Sequence, residues 1–246
     1  MKPAARYALY TTPLITAYLG YWQKERLAWK EDMLERVAAA QAAEPWKWPS
    51  ASVYTDEELL RLLHAIPYRR ITGHGSLVAP DDPGLFVGPR VRGGASGYLQ
   101  LVPFRMSSDG SVILLNRGWV PTDVVTAVRQ GESPDLLDRR SDDFAVVGSL
   151  RPAESPSSFT PANNATTNKW FSVDPPTMAA STGPDVLPII LDVIDESPPS
   201  PSPYPIGRQV VGTNIKNDHR QYMYTWWSLT ACLIAACAVV RRRGPL

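Results

Sequence analysis

Residues 97–120 read GYLQLVPFRMSSDGSVILLNRGWV, in which two apolar runs flank the polar tetrapeptide Ser107-Ser108-Asp109-Gly110. Two such runs, joined by a short loop that contains glycine, are typical of a β-hairpin. Similar short runs, separated by turn-forming residues, occur before and after this stretch. They cover residues 69–77, 85–91, 144–151, 169–174, 187–195 and 208–215.

These runs predict the fold class. About eight short strands at this spacing are typical of a small β-barrel or β-sandwich. Because most of them are not separated by helical segments, a parallel α/β fold is disfavoured. We therefore predict a β-rich α+β protein, with a small antiparallel β-barrel or sandwich domain over residues 67–221 and flanking helices. Residues 197–205, SPPSPSPYP, predict a stiff polyproline-like spacer within it.

Residues 24–66 are predicted to form a helical segment that leads into this domain. Leu27 and Leu34 share one helical face within a charged run. The tetrapeptide Thr55-Asp56-Glu57-Glu58 is a capping box, which indicates the start of a second, short helix that ends before Pro67.

The C-terminal region predicts a transmembrane helix. Residues 222–240, YMYTWWSLTACLIAACAVV, carry no charge and are long enough to cross the hydrocarbon core. Tyrosine and tryptophan side chains at one end are typical of a membrane interface. The basic tail 241–246, which begins with three arginines, is expected on the positive-inside face.

The N-terminal region, residues 1–23, predicts a second transmembrane segment. Residues 7–22 are uncharged, although they are few and include Pro13. A signal peptide is the alternative, but a charged helical run rather than a small-residue cleavage site follows. Two spans would place both termini on one side of the membrane and the whole body on the other.

Charge and motifs exclude several functional classes. The net charge is +1, which argues against a nucleic acid partner. The sequence lacks dinucleotide-binding, Walker, zinc-protease and nucleophile-elbow motifs, so no catalytic residue and no enzymatic activity are predicted. Two cysteines and three histidines offer little material for a metal site.

Several strings together resemble the surfeit locus protein family, whose members assist the assembly of cytochrome c oxidase. They occur in family order, between the two predicted membrane segments. The strings are LGYWQ (19–23), VGPR (87–90), LNRGWVP (115–121), VGSLR (147–151) and NDHRQY (217–222).

The resemblance implies a protein of the mitochondrial inner membrane, or of a bacterial plasma membrane. Its body would face the intermembrane space and both termini the matrix. The implied partners are the lipid bilayer, the haem-bearing catalytic subunit of cytochrome c oxidase, and neighbouring oxidase subunits or assembly factors. The implied function is assembly of respiratory complex IV, by aiding haem a insertion or stabilising the catalytic subunit. The alternative is a permanent structural subunit of the oxidase without a haem-transfer role.

The resemblance also implies a transient haem a site. Bacterial members resemble haem a binders that use a histidine at the mouth of the second span, and the matching residue is His219. A neutral imidazole is a good axial ligand for haem iron. On a continuing helix Tyr222 and Trp226 share its face and could contact the porphyrin, while Arg220 or Lys216 could meet a propionate. From the residues alone, the favoured interpretation is that His219 is a polar anchor at the interface and that the aromatic residues are the interfacial belt.

Three residues of the body are candidates for interaction with a partner: Arg90, Arg117 and Trp119. Arg117 could reach a partner or pair with an acidic residue of this chain. Trp119 could instead pack on the barrel. The family has Asn-His-Leu where this chain has Asp218-His219-Arg220, so charges flank the candidate haem ligand.

Overall fold

A computed structural model describes residues 3–49, 54–132, 134–207 and 217–242. The chain divides into two compact units, Met1–Arg36 with Asn214–Leu246, and Val37–Thr213. The helices are α1 Pro3–Ala42, α2 Asp56–His64, α3 Thr122–Arg129, α4 Pro175–Thr182 and α5 His219–Arg242. The strands are β1 Trp46–Lys47, β2 Arg70–Leu77, β3 Leu85–Arg92, β4 Ala95–Met106, β5 Val112–Pro121, β6 Phe144–Arg151 and β7 Val186–Ser197.

The strands form one sheet in the order β1-β2-β6-β7-β5-β4-β3. Strand β2 also pairs with β4, so β2, β6, β7, β5 and β4 close into a ring. The predicted α+β class is confirmed, and ring closure favours the barrel over the sandwich. The expectation of a wholly antiparallel sheet is wrong, because β5–β7 and β1–β2 are parallel. The parallel pair β5–β7 requires a long crossover, which α3, β6 and α4 provide.

The predicted hairpin is confirmed as β4 and β5, which pair from Gly97↔Pro121 to Arg105↔Val112. Nearly every side chain of β5 is buried. Its neighbours in sequence belong to different clusters: Ile113 packs with the Phe104 cluster, whereas Leu114 packs with Trp170. Burial on both faces explains why this strand reads as a continuous apolar run rather than an alternating one.

The predicted capping box is also confirmed. The side chain of Thr55 accepts a hydrogen bond from the backbone N–H of Glu58, and the Glu58 carboxylate accepts one from the backbone N–H of Thr55. The Thr55 backbone bond lowers the pKa of Glu58. The helix α2 that begins here buries Leu59 and Leu63 against the barrel core.

Two sequence predictions about the end of the body are wrong. Residues 169–174 do not form a strand; Trp170 makes only an isolated bridge to Val87 and is buried. Residues 197–205, predicted as a stiff polyproline-like spacer, lie against the body instead, because Pro205 is buried and the backbone of Ile206 exchanges two hydrogen bonds with Trp119, of 2.8 and 2.9 Å. The predicted strand 208–215 lies outside the described residues.

Candidate functional site

Helix α5 has the properties of a membrane span. Among the helices that the structure describes, it alone is long and apolar enough to cross a bilayer, with 24 residues and a mean hydropathy of 1.6. Little of it is buried within the protein, and Leu229, Ile234 and Val239 are exposed. Helix α1 does not reach this hydropathy, so the second span remains a prediction.

The N-terminal half of α1 nevertheless has an inverted distribution of side chains. Its large apolar residues point outward, while smaller and polar residues are buried along one stripe. The exposed set is Tyr7, Tyr10, Leu14, Ile15, Tyr18, Tyr21 and Trp22, and the buried set is Pro13, Thr16 and Gly20. In water this arrangement exposes apolar area that folding normally buries. In a bilayer it is the usual arrangement of paired helices, with small residues at the contact.

Helix α5 and the part of α1 up to Arg36, which belong to the same unit, meet along this stripe. The hydroxyl of Thr230 donates to the hydroxyl of Thr16 at 2.8 Å. About one turn further along α1, Gly20 faces Trp227, and a Cβ at position 20 would overlap the indole ring. The absence of a side chain at Gly20 therefore permits the close approach of the two helices at this point.

The candidate haem ligand lies at the same helix contact. His219 Nδ1 is 2.6 Å from Gln23 Oε1, and the neighbouring Arg220 forms an ion pair of 2.9 Å with Glu31. A carboxamide oxygen only accepts hydrogen bonds, so Nδ1 carries the proton in this contact. In the neutral ring, Nε2 then carries the lone pair, and it has no protein partner among the described residues.

The described residues fit a haem group that His219 would hold through its imidazole. A histidine that binds a metal through one ring nitrogen usually donates its other ring N–H to an oxygen acceptor, as Nδ1 does here to Gln23. Tyr222 is exposed and Trp226 is half-buried, so both are accessible to a ligand. Arg220 is engaged by Glu31, and Lys216 lies outside the described residues. An open cleft of about 740 Å³ follows α5 along Gln221 and Ser228, and none of the three predicted haem residues lines it.

Within the body, Arg117 belongs to a buried ion cluster. Its guanidinium contacts Asp138 at 2.6 Å and Glu196 at 2.8 Å, and its side chain is 1% exposed. Arg140 contacts the same two carboxylates and stacks on the ring of Phe144. Burial alone would lower the pKa of Arg117, but the bonds to Glu196 and Asp138 raise it. Burial would raise the pKa of Asp138, and the two arginines lower it. Arg117 therefore pairs with acidic residues of its own chain.

Arg90 joins the loop 152–174 to β3, and Trp119 of β5 holds the backbone of Arg90. The guanidinium of Arg90 contacts Glu154 at 2.7 Å and donates to the carbonyl of Phe171 at 3.1 Å. Trp119 is buried and its indole N–H donates to the carbonyl of Arg90 at 2.9 Å. Of the predicted interaction residues, only Arg90 keeps a partly exposed side chain.

A second buried network continues from Glu154. Arg151 contacts Glu154 at 2.6 Å and Asp192 at 3.0 Å, and Asn116 donates to Asp192 at 2.6 Å. Burial would lower the pKa of Arg151, but Asp192 and Glu154 raise it. Burial would raise the pKa of Glu154, but the Val173 N–H and the two arginines lower it. Sequence reasoning missed these acidic partners and Gln23. The available signal was an arginine within an apolar strand, which requires an acidic partner when buried.

No group of three or more potential metal-ligating side chains occurs in the described ranges. His64 and His74 both lie in the other unit from His219.

Comparisons with known proteins cover nearly the whole chain. The sequence pattern of the SURF1 family matches residues 11–231. The chain is 30% identical to a SURF1-like protein of Monosiga brevicollis, over 97% of this chain and 88% of that protein. It is 28% identical to Surfeit locus protein 1 of Arabidopsis thaliana, over 92% of this chain and 74% of that protein. It is also 28% identical to Surfeit locus protein 1 of Gallus gallus, over 92% of this chain and 72% of that protein.

Proposed function

Because the chain belongs to the SURF1 family, we propose that it is an assembly factor for cytochrome c oxidase in the mitochondrial inner membrane. Membership confirms the resemblance inferred from the five sequence strings. The matched region includes the body and most of both long helices, which supports assigning the family role to the chain as a unit. The proposed partner is the haem-bearing catalytic subunit, with neighbouring oxidase subunits or assembly factors. A bacterial plasma membrane is the alternative location.

The observation that carries the membrane part of the proposal is the pairing of α1 with α5. Thr16–Thr230 and Gln23–His219 place polar contacts between the helices, while apolar side chains face outward. In such a pair the polar groups face the neighbouring helix rather than the lipid, and they form hydrogen bonds with each other. Two spans would place both termini in the matrix, consistent with Arg241 and Arg242 at the end of α5, and the body in the intermembrane space.

Within this role, we propose that His219 binds haem a transiently. When bound, the group would supply the iron centre that the oxidase requires. Gln23 would hold Nδ1–H and so present Nε2, while Tyr222 and Trp226 would cover part of the porphyrin. The chain would hold the group and release it, without turning over a substrate.

The first experiment is a native separation of gently solubilised membranes, quantified for this chain and for the oxidase catalytic subunit. An assembly factor should run in substoichiometric species smaller than the mature oxidase. Co-migration with mature oxidase at one copy per complex would instead indicate a permanent subunit. Normal oxidase assembly after deletion of the gene would contradict both.

The second experiment tests the haem site. The full chain is purified from cells that make haem a, and its haem absorbance is compared for wild type, His219→Ala and the control His74→Ala, which changes an exposed histidine of the other unit. We expect the absorbance to be lost only in His219→Ala. Wild-type protein without haem, or an unchanged spectrum in His219→Ala, would refute the haem role.

A specific observation favours the alternative of a permanent accessory subunit. The ion pair Arg220–Glu31 and the neighbouring Asp218 make the surroundings of His219 charged, whereas a porphyrin favours apolar walls. In that case His219 would be a polar group at the membrane interface, and the Thr16–Thr230 and Gly20–Trp227 contacts would hold the two helices together. Oxidase stability would then tolerate His219→Ala and depend on the helix pair and barrel.

A further inference from the structure

The most exposed large apolar side chain among the described residues of the body is Phe159. Its side chain is 95% exposed, compared with 76% for Val91, which comes next. Scattered exposed apolar residues are normal on protein surfaces, but an almost fully solvated phenyl ring is not.

The base of the loop is held by the buried charge network. Glu154 accepts hydrogen bonds from Arg90 at 2.7 Å and from the backbone N–H of Val173 at 3.0 Å. Arg151 contacts the other oxygen of Glu154 at 2.6 Å. The Glu154 carboxylate thus connects the two ends of the loop, at residues 154 and 173. It also connects them to Arg90 of β3 and Arg151 of β6.

A second clamp lies within the loop. The side-chain oxygen of Asn163 accepts from the backbone N–H groups of Phe171 and Ser172, at 2.8 and 3.1 Å, and its amide donates to the carbonyl of Ser172 at 3.0 Å. Nearer the tip, the hydroxyls of Ser157 and Thr160 lie 3.0 Å apart on either side of Phe159. These hydrogen bonds restrain the backbone on both sides of Phe159 and so reduce the backbone entropy that the loop would lose when it binds a partner.

The composition of the loop indicates the chemistry of that partner. Residues 155–168 contain no charge and consist mainly of Ser, Thr, Asn, Pro and Ala around the single phenyl ring. One rigid aromatic anchor among adaptable small polar residues is the pattern of protein-binding loops. Loops that insert into bilayers usually carry several large apolar residues and basic residues for anionic lipid, which residues 155–168 lack.

We propose that the loop 155–168 docks a partner protein, with Phe159 inserted into an uncharged, apolar pocket of that protein. The inference goes beyond the proposed function, because it assigns a surface of the body and does not depend on the haem site. An uncharged loop on a body whose remaining surface carries many charges would match a partner surface that is also uncharged at the contact.

The test uses the full chain in native membranes. A photoreactive phenylalanine is placed at position 159 and, as a control, at position 91. After illumination, adducts are identified by mass spectrometry and mapped to residues. In parallel, Phe159→Asp and Val91→Asp are compared for co-purification of the protein found in the adduct. Thermal unfolding checks that both variants fold, which we expect because both side chains are exposed.

We expect one protein adduct at position 159, mapped to apolar and uncharged residues of that protein, and no such adduct at position 91. Phe159→Asp should reduce co-purification by roughly tenfold or more, and Val91→Asp should leave it unchanged. Lipid adducts alone, no adduct, or co-purification unaffected by Phe159→Asp would overturn the inference. If oxidase assembly is normal after deletion of the gene while the adduct forms and co-purification depends on Phe159, the docking loop stands and the proposed function fails. If oxidase assembly requires the chain but Phe159→Asp does not change co-purification of the adduct protein, the proposed function stands and the docking loop fails.

Discussion

Replacing Arg117 with methionine should strongly destabilise the barrel, although it removes a charge from a buried site. The substitution deletes the bonds from Arg117 to Glu196, at 2.9 and 2.8 Å, to the Asp138 carboxylate at 2.6 Å, and to the Asp138 carbonyl at 3.1 Å. Two carboxylates then remain in a site from which water is largely excluded, and among the described residues Arg140 is the remaining cation that pairs with them.

Removal of one partner from a buried ion pair costs about 3–5 kcal/mol, because the other charge stays buried without compensation. Since Arg140 still contacts both carboxylates, we expect the lower end of this range, about 3 kcal/mol. Adding Asp138→Asn restores the balance of charge around Arg140 and Glu196. The double variant should therefore be about 1 kcal/mol more stable than Arg117→Met alone.

The assay is urea unfolding of the full chain in detergent, followed by the fluorescence of buried tryptophans such as Trp170. Arg61→Met is the matched control, because Arg61 pairs with Glu57 on the exposed face of α2 and such pairs contribute at most about 1 kcal/mol. A loss in Arg117→Met no larger than in Arg61→Met would refute the reasoning. So would a double variant less stable than the single one.

Two further predictions concern the helix pair and the response to acid. Gly20→Ile should push α1 away from Trp227. The assay is disulfide formation between cysteines placed at positions 16 and 230, in a chain whose Cys232 and Cys237 are replaced. We expect Gly20→Ile to lower the disulfide yield several-fold. Tyr18→Ile, on the exposed face, should leave the yield unchanged, and equal yields in both variants would contradict the contact. The pKa values of Asp138 and Glu154 are lowered in the folded state, so their contribution is complete above the unfolded-state values of about 4 and is lost as pH falls through the folded-state values. Urea midpoints should therefore decline below about pH 4, and more shallowly in Arg117→Met; a decline of equal slope in both would contradict this account.

The correctly predicted parts of the fold depend on local signals. The hairpin β4–β5 follows from two apolar runs around Gly110, which adopts a positive φ of 75° that glycine tolerates. The capping box at Thr55 and Glu58 requires only residues three apart in sequence. The apolar run of α5 is long enough to predict a membrane helix from its composition.

The incorrect or missed parts depend on contacts between residues that are distant in sequence. The parallel pairing of β5 with β7 joins strands separated by two helices and β6, and no local pattern encodes it. The segment 169–174 has the composition of a strand. Its Trp170 is buried beside Val87, but the segment forms only an isolated bridge there and no continuous pairing with a strand. Residues 197–205 have the composition of a spacer, yet Arg140, which donates to the carbonyl of Pro198, holds the segment to the body.

The same distinction applies to the family strings and to function. Arg90, Asn116, Arg117 and Arg151 all come from these strings, and all engage partners within the body. The strings of the body therefore identify the family through residues that stabilise its fold. Side chains that already form hydrogen bonds and ion pairs within the fold have few donors or acceptors left for a partner or ligand. Function is better sought where a group has no partner among the described residues of the fold, as with Nε2 of His219, whose ring Gln23 orients, and with the exposed ring of Phe159.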